Sequence, residues 1–349
     1  MSKFRIGLIG LGGMAGEHIR WMNENGRFDV VAVSDVSENA LAAAGDRLGI
    51  AAGKRYADFA GLIEDPDVEA VISVTPNNVH AAIIRACLQA RKPFMAEKPF
   101  TLDFEEAAGL LELYENRPVP AMMAFTYRYT PAYRFARELV REGKIGDVRS
   151  FSIQYLQGWG AAPNDVPYIW RFDKAVTGTG TLGDLGSHMI DMARFLFGEF
   201  EELSAQLHTI IPKRKDPATG EPVTVEVDDF ASFQARMADG AMGVFQTTRN
   251  AVGSGNQHEA SIYGDTGTIH ASTLNPDRLI WIREEAPGQF VRSEIDVPQR
   301  CRVKQYEDFA ALLEGGSPDG LAGFMDGYRN QQVLDAVVRA SEAKTSVRL

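Results

Sequence analysis

The sequence predicts an α/β protein of two domains, in which a doubly wound parallel sheet is followed by a mainly antiparallel sheet with helices. The length of 349 residues suits two domains. Short apolar runs alternate with helical patterns in the first third of the chain, and strand-like alternation replaces them after about Phe125. We therefore predict one domain over residues 1–125 and another over residues 126–349.

The first domain is predicted to alternate strands with helices. The predicted strands cover residues 5–9, 30–34, 70–74, 93–96 and 120–125. The predicted helices cover residues 15–25, 37–48, 58–63, 80–90 and 103–115, with Ser37 and Asp103 as N-caps. Repeated units of this kind build a parallel sheet whose crossover helices cover its faces.

The second domain is predicted to contain an amphipathic helix over residues 131–142 and several half-buried strands. In residues 147–155 apolar and polar side chains alternate, and in residues 231–237 Ala and Phe alternate with polar residues. We expect the apolar side of residues 231–237 to belong to a sheet face that helices leave uncovered and that needs a partner chain. Asp239-Gly240 offers a hairpin turn into residues 241–248. Residues 213–222 are rich in charge, Pro and Gly and are predicted to form a surface loop.

Composition excludes several classes of function. The net charge of -11 argues against a nucleic acid or an anionic membrane surface as partner, because both require a basic footprint. Two cysteines without further ligands nearby suggest neither a disulfide framework nor a zinc site, and they favour the reducing cytoplasm. The sequence contains no run of the ~18 apolar residues that a membrane helix needs.

A glycine-rich turn follows the first predicted strand and opens the first predicted helix. Its pattern, Gly10-x-Gly12-x-x-Ala15, is that of a dinucleotide-binding Rossmann fold. Gly10 permits the tight turn, Gly12 allows close approach of a pyrophosphate, and the free amides of the helix terminus face the phosphates. The cofactor-binding candidates in this turn are Gly10, Gly12, Gly13 and Met14.

Asp35 stands at the end of the second predicted strand, where a carboxylate accepts hydrogen bonds from the adenosine ribose. A carboxylate at this point repels a 2′-phosphate, and the neighbours Val36 and Ser37 supply no guanidinium to compensate. The sequence therefore predicts NAD as the cofactor rather than NADP.

Two further loops follow predicted strands, and the carboxyl ends of parallel strands are where ligands bind in such sheets. The first contributes cofactor-side candidates at Thr75, Pro76, Asn77 and His80, and the second contributes Glu97 and Lys98. Lys98 lies between an acidic residue and Pro99, whose restricted backbone favours a defined orientation of the loop.

The glycine-rich stretch from residue 178 leads into a predicted helix that carries Asp184, His188 and Asp191 on one face. Its opposite face, with Leu185, Met189, Met192 and Leu196, is patterned for the core. A carboxylate beside an imidazole raises its basicity, as a general base near neutral pH requires. A metal site at the same three residues is the alternative, which we disfavour because no further ligands lie nearby in sequence.

Taken together, these motifs resemble the family of glucose-fructose oxidoreductase, inositol dehydrogenase and rhizopine catabolism proteins (Gfo/Idh/MocA). The resemblance runs in order through Gly10-x-Gly12-x-x-Ala15, Thr75-Pro76-Asn77 with His80, Glu97-Lys98-Pro99, the segment 127–131, and Asp184 with His188. The stretches around Tyr155 and Trp170 are most similar to the branch that contains levoglucosan dehydrogenase and scyllo-inositol dehydrogenases.

The resemblance implies a large open-faced sheet in the second domain, assembly into homodimers or homotetramers, and NAD-dependent oxidation of a ring CH–OH group in a sugar, anhydrosugar or inositol. It implies that Lys98 stabilises the alkoxide, that His188 takes the hydroxyl proton, and that Asp184 orients the imidazole. It also implies a cis peptide bond before Pro99. The substrate contacts implied by the resemblance are Lys98, Arg128, Tyr155, Trp170, Arg171, Asp184 and His188.

Two other functions fit the same motifs. An NAD-dependent glycosidase could use transient oxidation on this fold, and it would cleave glycosides without net formation of NADH. A non-catalytic sugar or nucleotide sensor could keep the Rossmann domain, but it would not need Lys98, Asp184 and His188 together.

Overall fold

The computed structural model describes residues 3–349, which divide into two compact units. The first unit consists of the chain up to Ala124 together with Lys304–Arg329, and the second consists of Phe125–Val303 together with Asn330–Leu349. Within residues 3–349 no helix is long and apolar enough to cross a membrane.

The segment Lys304–Arg329 belongs to the first unit, although the sequence analysis assigned all of residues 126–349 to the second domain. Aromatic packing explains the difference, because the rings of Tyr306 and Phe309 lie 5.3 and 5.8 Å from that of Phe28. Tyr306 and Phe309 lie on a helix, Gln305–Leu313. Its sequence pattern could not show which domain it packs against, because an apolar helix face can pack on the sheet of the first domain or on that of the second.

The described part of the chain contains seventeen strands. They are β1 (Phe4–Ile9), β2 (Phe28–Ser34), β3 (Arg55–Tyr56), β4 (Ala70–Ser73), β5 (Phe94–Ala96), β6 (Ala121–Met123), β7 (Val148–Leu156), β8 (Phe200–His208), β9 (Lys213–Lys215), β10 (Pro222–Thr224), β11 (Phe230–Met237), β12 (Met242–Thr248), β13 (Gln257–Gly264), β14 (Gly267–Ser272), β15 (Arg278–Ala286), β16 (Gln289–Asp296) and β17 (Val347–Arg348).

Ten α-helices occur between residues 3 and 349. They are α1 (Gly13–Asn25), α2 (Glu38–Leu48), α3 (Phe59–Glu64), α4 (His80–Gln89), α5 (Phe104–Asn116), α6 (Pro131–Arg141), α7 (Lys174–Thr177), α8 (Ser187–Phe197), α9 (Gln305–Leu313) and α10 (Phe324–Ala343). Ser37 and Asp103 cap α2 and α5 through their side chains, as predicted.

The first unit is built on a parallel sheet of six strands in the order β3-β2-β1-β4-β5-β6. This confirms the predicted doubly wound sheet, to which the structure adds the two-residue strand β3, too short to show alternation. The order of the strands reverses between β1 and β4. In sheets of this type the ligand crevice opens beyond the carboxyl ends of the strands at that point.

The second unit is built on a sheet of nine strands in the order β16-β15-β14-β13-β7-β12-β11-β8-β17. All neighbours are antiparallel except β7 and β12, so the prediction of a mainly antiparallel sheet is confirmed. The turn at Asp239-Gly240 joins β11 to β12 as predicted, and Gly240 has φ +93, which the turn requires.

The alternating apolar residues of β11 belong to the core of the second unit. Ala231, Phe233, Ala235 and Met237 are each at most 2% exposed and pack in the same cluster as residues of α6 and α8. They are therefore not part of an uncovered face. The opposite face of the neighbouring strands carries exposed apolar side chains, with Met242 and Val244 at 46% and 50% exposure.

Residues 213–222 form a hairpin rather than the predicted loop. β9 and β10 pair antiparallel from Lys213 opposite Thr224 to Lys215 opposite Pro222. Arg214 is buried, and its guanidinium donates hydrogen bonds to the carbonyls of Gly160 and Val166 at 2.6 and 3.0 Å. The prediction was wrong because strands of three residues are too short to show alternation, and here a charged side chain supplies the anchor.

Candidate active site

The glycine-rich turn after β1 forms a cradle open to an anion. Gly10 has φ +84, and a Cβ at this position would lie 2.3 Å from the carbonyl oxygen of Val74, so only glycine fits. A Cβ at Gly12 or Gly13 would meet no atom within 4 Å, so the space in front of the first amides of α1 is open. Met14 beside it is 43% exposed. The geometry suits a phosphate at a helix N-terminus.

Asp35 lies directly beside this turn. One carboxylate oxygen accepts a hydrogen bond from the amide of Leu11 and the other from the amide of Ser37, both at 2.8 Å. Val36, the next side chain, is 94% exposed. Asp35 is thus held at the end of β2 without a neighbouring cation in Val36 or Ser37, which fits the two ribose hydroxyls of NAD.

His80 joins the two strand-end loops and is not itself open to a ligand. Its ring is 1% exposed, with Nδ1 2.7 Å from the carbonyl oxygen of Pro99 and Nε2 2.9 Å from that of Thr75. Burial lowers the pKa of His80, against the opposing effect of the two carbonyls. Both ring nitrogens are engaged within the protein, so the predicted direct contact to the cofactor is corrected to a bridge between loops.

The remaining candidates of the Thr75 loop differ in exposure. Asn77 is buried, Pro76 is exposed, and the hydroxyl of Thr75 lies 3.3 Å from that of Ser73. These residues follow β4, next to the glycine turn that follows β1, since the two strands are neighbours in the sheet. Thr75, Pro76 and Asn77 remain candidates for cofactor contact.

Glu97 and Lys98 follow β5 on the same edge of the sheet, and the peptide bond between Lys98 and Pro99 is cis, as the resemblance implied. Glu97 is 9% exposed; its carboxylate accepts a hydrogen bond from His18 Nε2 at 2.9 Å and one from the amide of Lys98 at 3.2 Å. Burial raises the pKa of Glu97, but His18 and Lys98 more than offset this, so its pKa lies below the ordinary value. Lys98 is partly exposed.

The glycine-rich stretch of the second unit ends in a π-helical turn, Leu182–Gly186, before α8 begins at Ser187. The carboxylate of Asp228 accepts hydrogen bonds from the amides of Gly180 and Leu182, both at 2.7 Å. A Cβ on Gly180 would lie 1.8 Å from the carbonyl oxygen of Asp228. The close approach that only glycine permits therefore fixes the backbone that carries Asp184.

Asp184 lies in this turn and not on an α-helix, which corrects the predicted regular face shared with His188 and Asp191. Its carboxylate accepts a hydrogen bond from Arg249 at 2.7 Å and lies 4.0 Å from Arg171. The side chain of Asp184 is 27% exposed, whereas that of Arg249 is 1% exposed. A buried guanidinium thus holds a carboxylate that reaches solvent.

His188 lies in the first turn of α8 with 7% of its surface exposed. Its ring is 4.7 Å from that of Tyr127 and 6.0 Å from that of Tyr155, and the two tyrosine hydroxyls are 2.6 Å apart. Burial, with Tyr127 as a further cause, raises the pKa of Tyr155. Tyr155 therefore remains a neutral phenol beside His188. His258 packs on both tyrosines, and burial lowers its pKa to about 3.

Arg128 and Asp191 form a buried pair instead of facing solvent. The guanidinium of Arg128 donates to both carboxylate oxygens of Asp191, at 2.6 and 2.8 Å, and both side chains are at most 4% exposed. The predicted direct substrate contact at Arg128 is thus corrected to an anchor for α8. The predicted core face of this segment is confirmed, since Leu185, Met189, Met192 and Leu196 are all buried.

Trp170 and Arg171 form an accessible polar and aromatic surface next to Asp184. Trp170 is 43% exposed, and the guanidinium of Arg171 lies 4.3 Å from the centre of its ring. Arg171 is itself 37% exposed. Sugars present both hydroxyls and apolar CH faces, which suit a guanidinium and an indole ring respectively.

Sequence reasoning missed Arg249. It follows β12, an alternating strand, where a single arginine is usually solvated, and the glycine-rich segment that it contacts is remote in sequence. The only signal in the sequence was a charged residue directly after Thr247 and Thr248, at the end of an alternating segment. Among the described residues, no group of three or more His, Cys, Asp or Glu side chains could hold a metal ion.

Comparison with known proteins covers most of the chain. Residues 4–125 match the model of an oxidoreductase family with an NAD-binding Rossmann fold, and residues 133–270 match the GFO/IDH/MocA C-terminal domain. Levoglucosan dehydrogenase of Pseudarthrobacter phenanthrenivorans is 32% identical over 99% of this chain and 98% of its own length. Myo-inositol 2-dehydrogenase of Thermotoga maritima is 28% identical over 99% and 98%.

Solved structures of similar proteins also match this chain over its whole length. Levoglucosan dehydrogenase in complex with NADH and levoglucosan has a TM-score of 0.91 at 31% identity, covering 100% of this chain and 99% of that one. An oxidoreductase domain protein from Kribbella flavida has a TM-score of 0.91, also at 31% identity, with the same coverage. The predictions of an oxidoreductase and of NAD as its cofactor are confirmed by the family models and the NADH-bound neighbours.

We expect Asp35 to set the preference for NAD. Replacing it in the double variant Asp35→Ser/Val36→Arg removes a carboxylate from the ribose and places a guanidinium where a 2′-phosphate would lie. The ratio of kcat/KM for NADP to that for NAD should rise by about tenfold or more, the effect of one charge-assisted hydrogen bond. Steady-state kinetics with both cofactors measure it.

Val36→Arg alone is the matched control, because it adds the cation and keeps the carboxylate. It should change the ratio much less than the double variant. A wild-type protein that already prefers NADP would contradict the role assigned to Asp35.

Proposed function

The chain belongs to the Gfo/Idh/MocA family of NAD-binding oxidoreductases, and we propose that it oxidises a ring hydroxyl of a sugar, anhydrosugar or inositol to a ketone. The observation that carries the proposal is the arrangement in the second unit, where His188 lies at the start of α8 and Asp184, beside the exposed Trp170 and Arg171, reaches solvent. The relatives named above act on levoglucosan and myo-inositol by their names. Both are neutral polyhydroxylated rings.

The reaction divides into removal of a proton from the hydroxyl and removal of a hydride from the same carbon. NAD, when bound, supplies the acceptor for the hydride. We assign to His188 the role of general base that takes the hydroxyl proton, and to Asp184 the orientation and stabilisation of the imidazole. Lys98 donates to the reacting oxygen and stabilises its developing negative charge.

The other residues position these groups and the substrate. Arg171 and Trp170 bind a second hydroxyl and a CH face of the ring, while Tyr155 supports His188 through its ring and its hydroxyl pair with Tyr127. The buried guanidinium of Arg249 holds the carboxylate of Asp184, and the exposed part of that carboxylate is left for the site. Three parts of the first unit hold the cofactor: the turn at Gly10, Gly12, Gly13 and Met14, the carboxylate of Asp35, and the loop at Thr75, Pro76 and Asn77.

A substrate panel tests the proposal. Inositols, anhydrosugars and aldoses are offered with NAD and with NADP, and formation of the reduced cofactor is followed by absorbance. We expect reduction of NAD with at least one neutral ring polyol. Glycosides in the same panel, with product analysis, identify the alternative, because a glycosidase would cleave them without net NADH. Binding of sugar or NAD without any turnover would support a sensor and contradict the proposal.

The catalytic roles predict distinct kinetic effects. His188→Ala should lower kcat by roughly two to four powers of ten and leave NAD binding intact, the usual consequence of losing a general base. Lys98→Ala should be at least as damaging, because both a donor and a positive charge are lost. The double variant Asp184→Asn/His188→Ala should be little worse than His188→Ala, since the two residues act as one unit.

His208→Ala is the matched control, because it also replaces a histidine of the second unit, at an exposed position of β8. It should turn over as the wild type does. Near-wild-type turnover of His188→Ala on the true substrate would contradict the assignment of the base.

We also propose that the chain forms a homodimer or homotetramer through the open face of the nine-stranded sheet. Met242, Val244, Tyr263 and Phe290 lie on this face with exposures between 42% and 62%. Apolar side chains that share an exposed face favour a partner. Light scattering at micromolar concentration should give a multiple of 38.3 kDa; a mass of one chain would contradict the proposal.

Val244→Asp should shift this mass towards one chain, because it buries a charge in the proposed interface. Val252→Asp, at a position that is 74% exposed outside the strands, is the control and should leave the mass unchanged.

For the compartment, we keep the reducing cytoplasm as a proposal, since Cys87 and Cys301 are both free and buried.

A further inference from the structure

A chain of buried hydrogen bonds ends at the backbone of Lys98 within the first unit. The hydroxyl of Tyr306 lies 2.7 Å from His18 Nδ1, His18 Nε2 lies 2.9 Å from one oxygen of Glu97, and the other oxygen of Glu97 accepts the amide hydrogen of Lys98 at 3.2 Å. His18 is completely buried and Tyr306 is 2% exposed. None of the roles assigned above uses His18 or Tyr306.

The proton positions in this chain follow from what each group can donate. The pKa of Glu97 lies below its ordinary value, so the group is a carboxylate and only accepts. His18 must therefore carry its hydrogen on Nε2. Burial raises the pKa of Tyr306 well above its ordinary value, so the phenol keeps its hydrogen, and its oxygen lies 2.7 Å from His18 Nδ1. Both ring nitrogens of His18 therefore have a hydrogen-bond partner within the first unit.

The three residues come from separate parts of the sequence. His18 lies on α1, Glu97 follows β5, and Tyr306 lies on α9. The ring of His18 is further held by Trp21 at 5.2 Å, and Tyr306 packs edge-on against Phe28. His18 has no exposed surface and is fixed by aromatic rings and by two hydrogen bonds, so its ring has little freedom to turn. Because it contacts both Tyr306 on α9 and Glu97, it transmits the position of α9 to the carboxylate of Glu97.

We propose that His18 and Tyr306 are positioning residues for Lys98, which act by holding the Glu97 carboxylate in one orientation against the Lys98 amide. The inference rests on the proposed function in so far as Lys98 acts on the substrate hydroxyl. Its structural core is independent of the substrate, because the hydrogen bonds lie wholly within the first unit. Because Tyr306 belongs to the segment Lys304–Arg329, the proposal means that this segment helps to position Lys98.

Two substitutions at His18 separate the hydrogen bond to Glu97 from the filling of space. The amide nitrogen of glutamine reaches the place of Nε2, so His18→Gln keeps a donor for Glu97 and loses the bond to Tyr306. Asparagine reaches only the place of Nδ1, so His18→Asn keeps the partner of Tyr306 and loses the bond to Glu97.

We expect His18→Asn to lower kcat by about 10-fold to 100-fold, the range for loss of one hydrogen bond to a charged group, with little change in the KM for NAD. His18→Gln should recover most of this loss. Tyr306→Phe should lie between the two. Tyr56→Phe is the control, because it likewise removes one hydrogen-bonded hydroxyl, in this case one that donates to the carboxylate of Asp65, and it should leave turnover unchanged.

Hydrogen exchange of the Lys98 amide supplies a readout that needs no substrate. The exchange should be faster in His18→Asn than in the wild type or in His18→Gln. Equal losses of turnover and of melting temperature in the two His18 variants, with unchanged exchange at Lys98, would overturn the proposal. A wild-type protein that oxidises no polyol would overturn the proposed function alone, while the exchange experiment would still decide the positioning role.

Discussion

A charged group taken out of water must find its hydrogen bonds inside the protein, and both units are organised by this constraint. In the first unit it applies to Glu97, which is 9% exposed and held by His18 and the Lys98 amide. In the second it applies to Arg249, whose guanidinium is 1% exposed and holds Asp184. Each of these buried charges is hydrogen-bonded to a specific partner, which restricts the side chains next to it.

Close backbone contacts bring these charges into place. At Gly10 the turn after β1 passes the carbonyl of Val74, and at Gly180 the segment before the π-helical turn passes the carbonyl of Asp228. A methyl group at either position would overlap a backbone oxygen, a contact that no side-chain rotation relieves. The first contact opens the amides of α1 towards a phosphate. The second fixes the backbone that carries Asp184, whose side chain is 27% exposed.

The sequence predicted the elements of the first unit closely, because strand, glycine turn and helix follow one another locally and each has its own pattern. It also selected Asp35, Lys98, Asp184 and His188 as candidates, because they stand at ends of strands or beside glycine-rich segments. It failed where a role depends on a partner remote in the chain. Arg128 pairs with Asp191, and Arg249 pairs with Asp184, across 63 and 65 positions. No local pattern distinguishes such arginines from solvated ones.

The histidines show why environment, and not residue type, decides which group can act as a base. His258 is fully buried among tyrosines with a pKa of about 3, so it stays neutral and cannot take up a proton near neutral pH. His80 has both ring nitrogens against backbone carbonyls, and His18 lies between Tyr306 and Glu97. His188 differs from these three in lying four residues after Asp184, a carboxylate that reaches solvent, at the start of a helix anchored by a buried ion pair. A base must meet both the substrate and a group that stabilises its charged form, and the role proposed for His188 requires both.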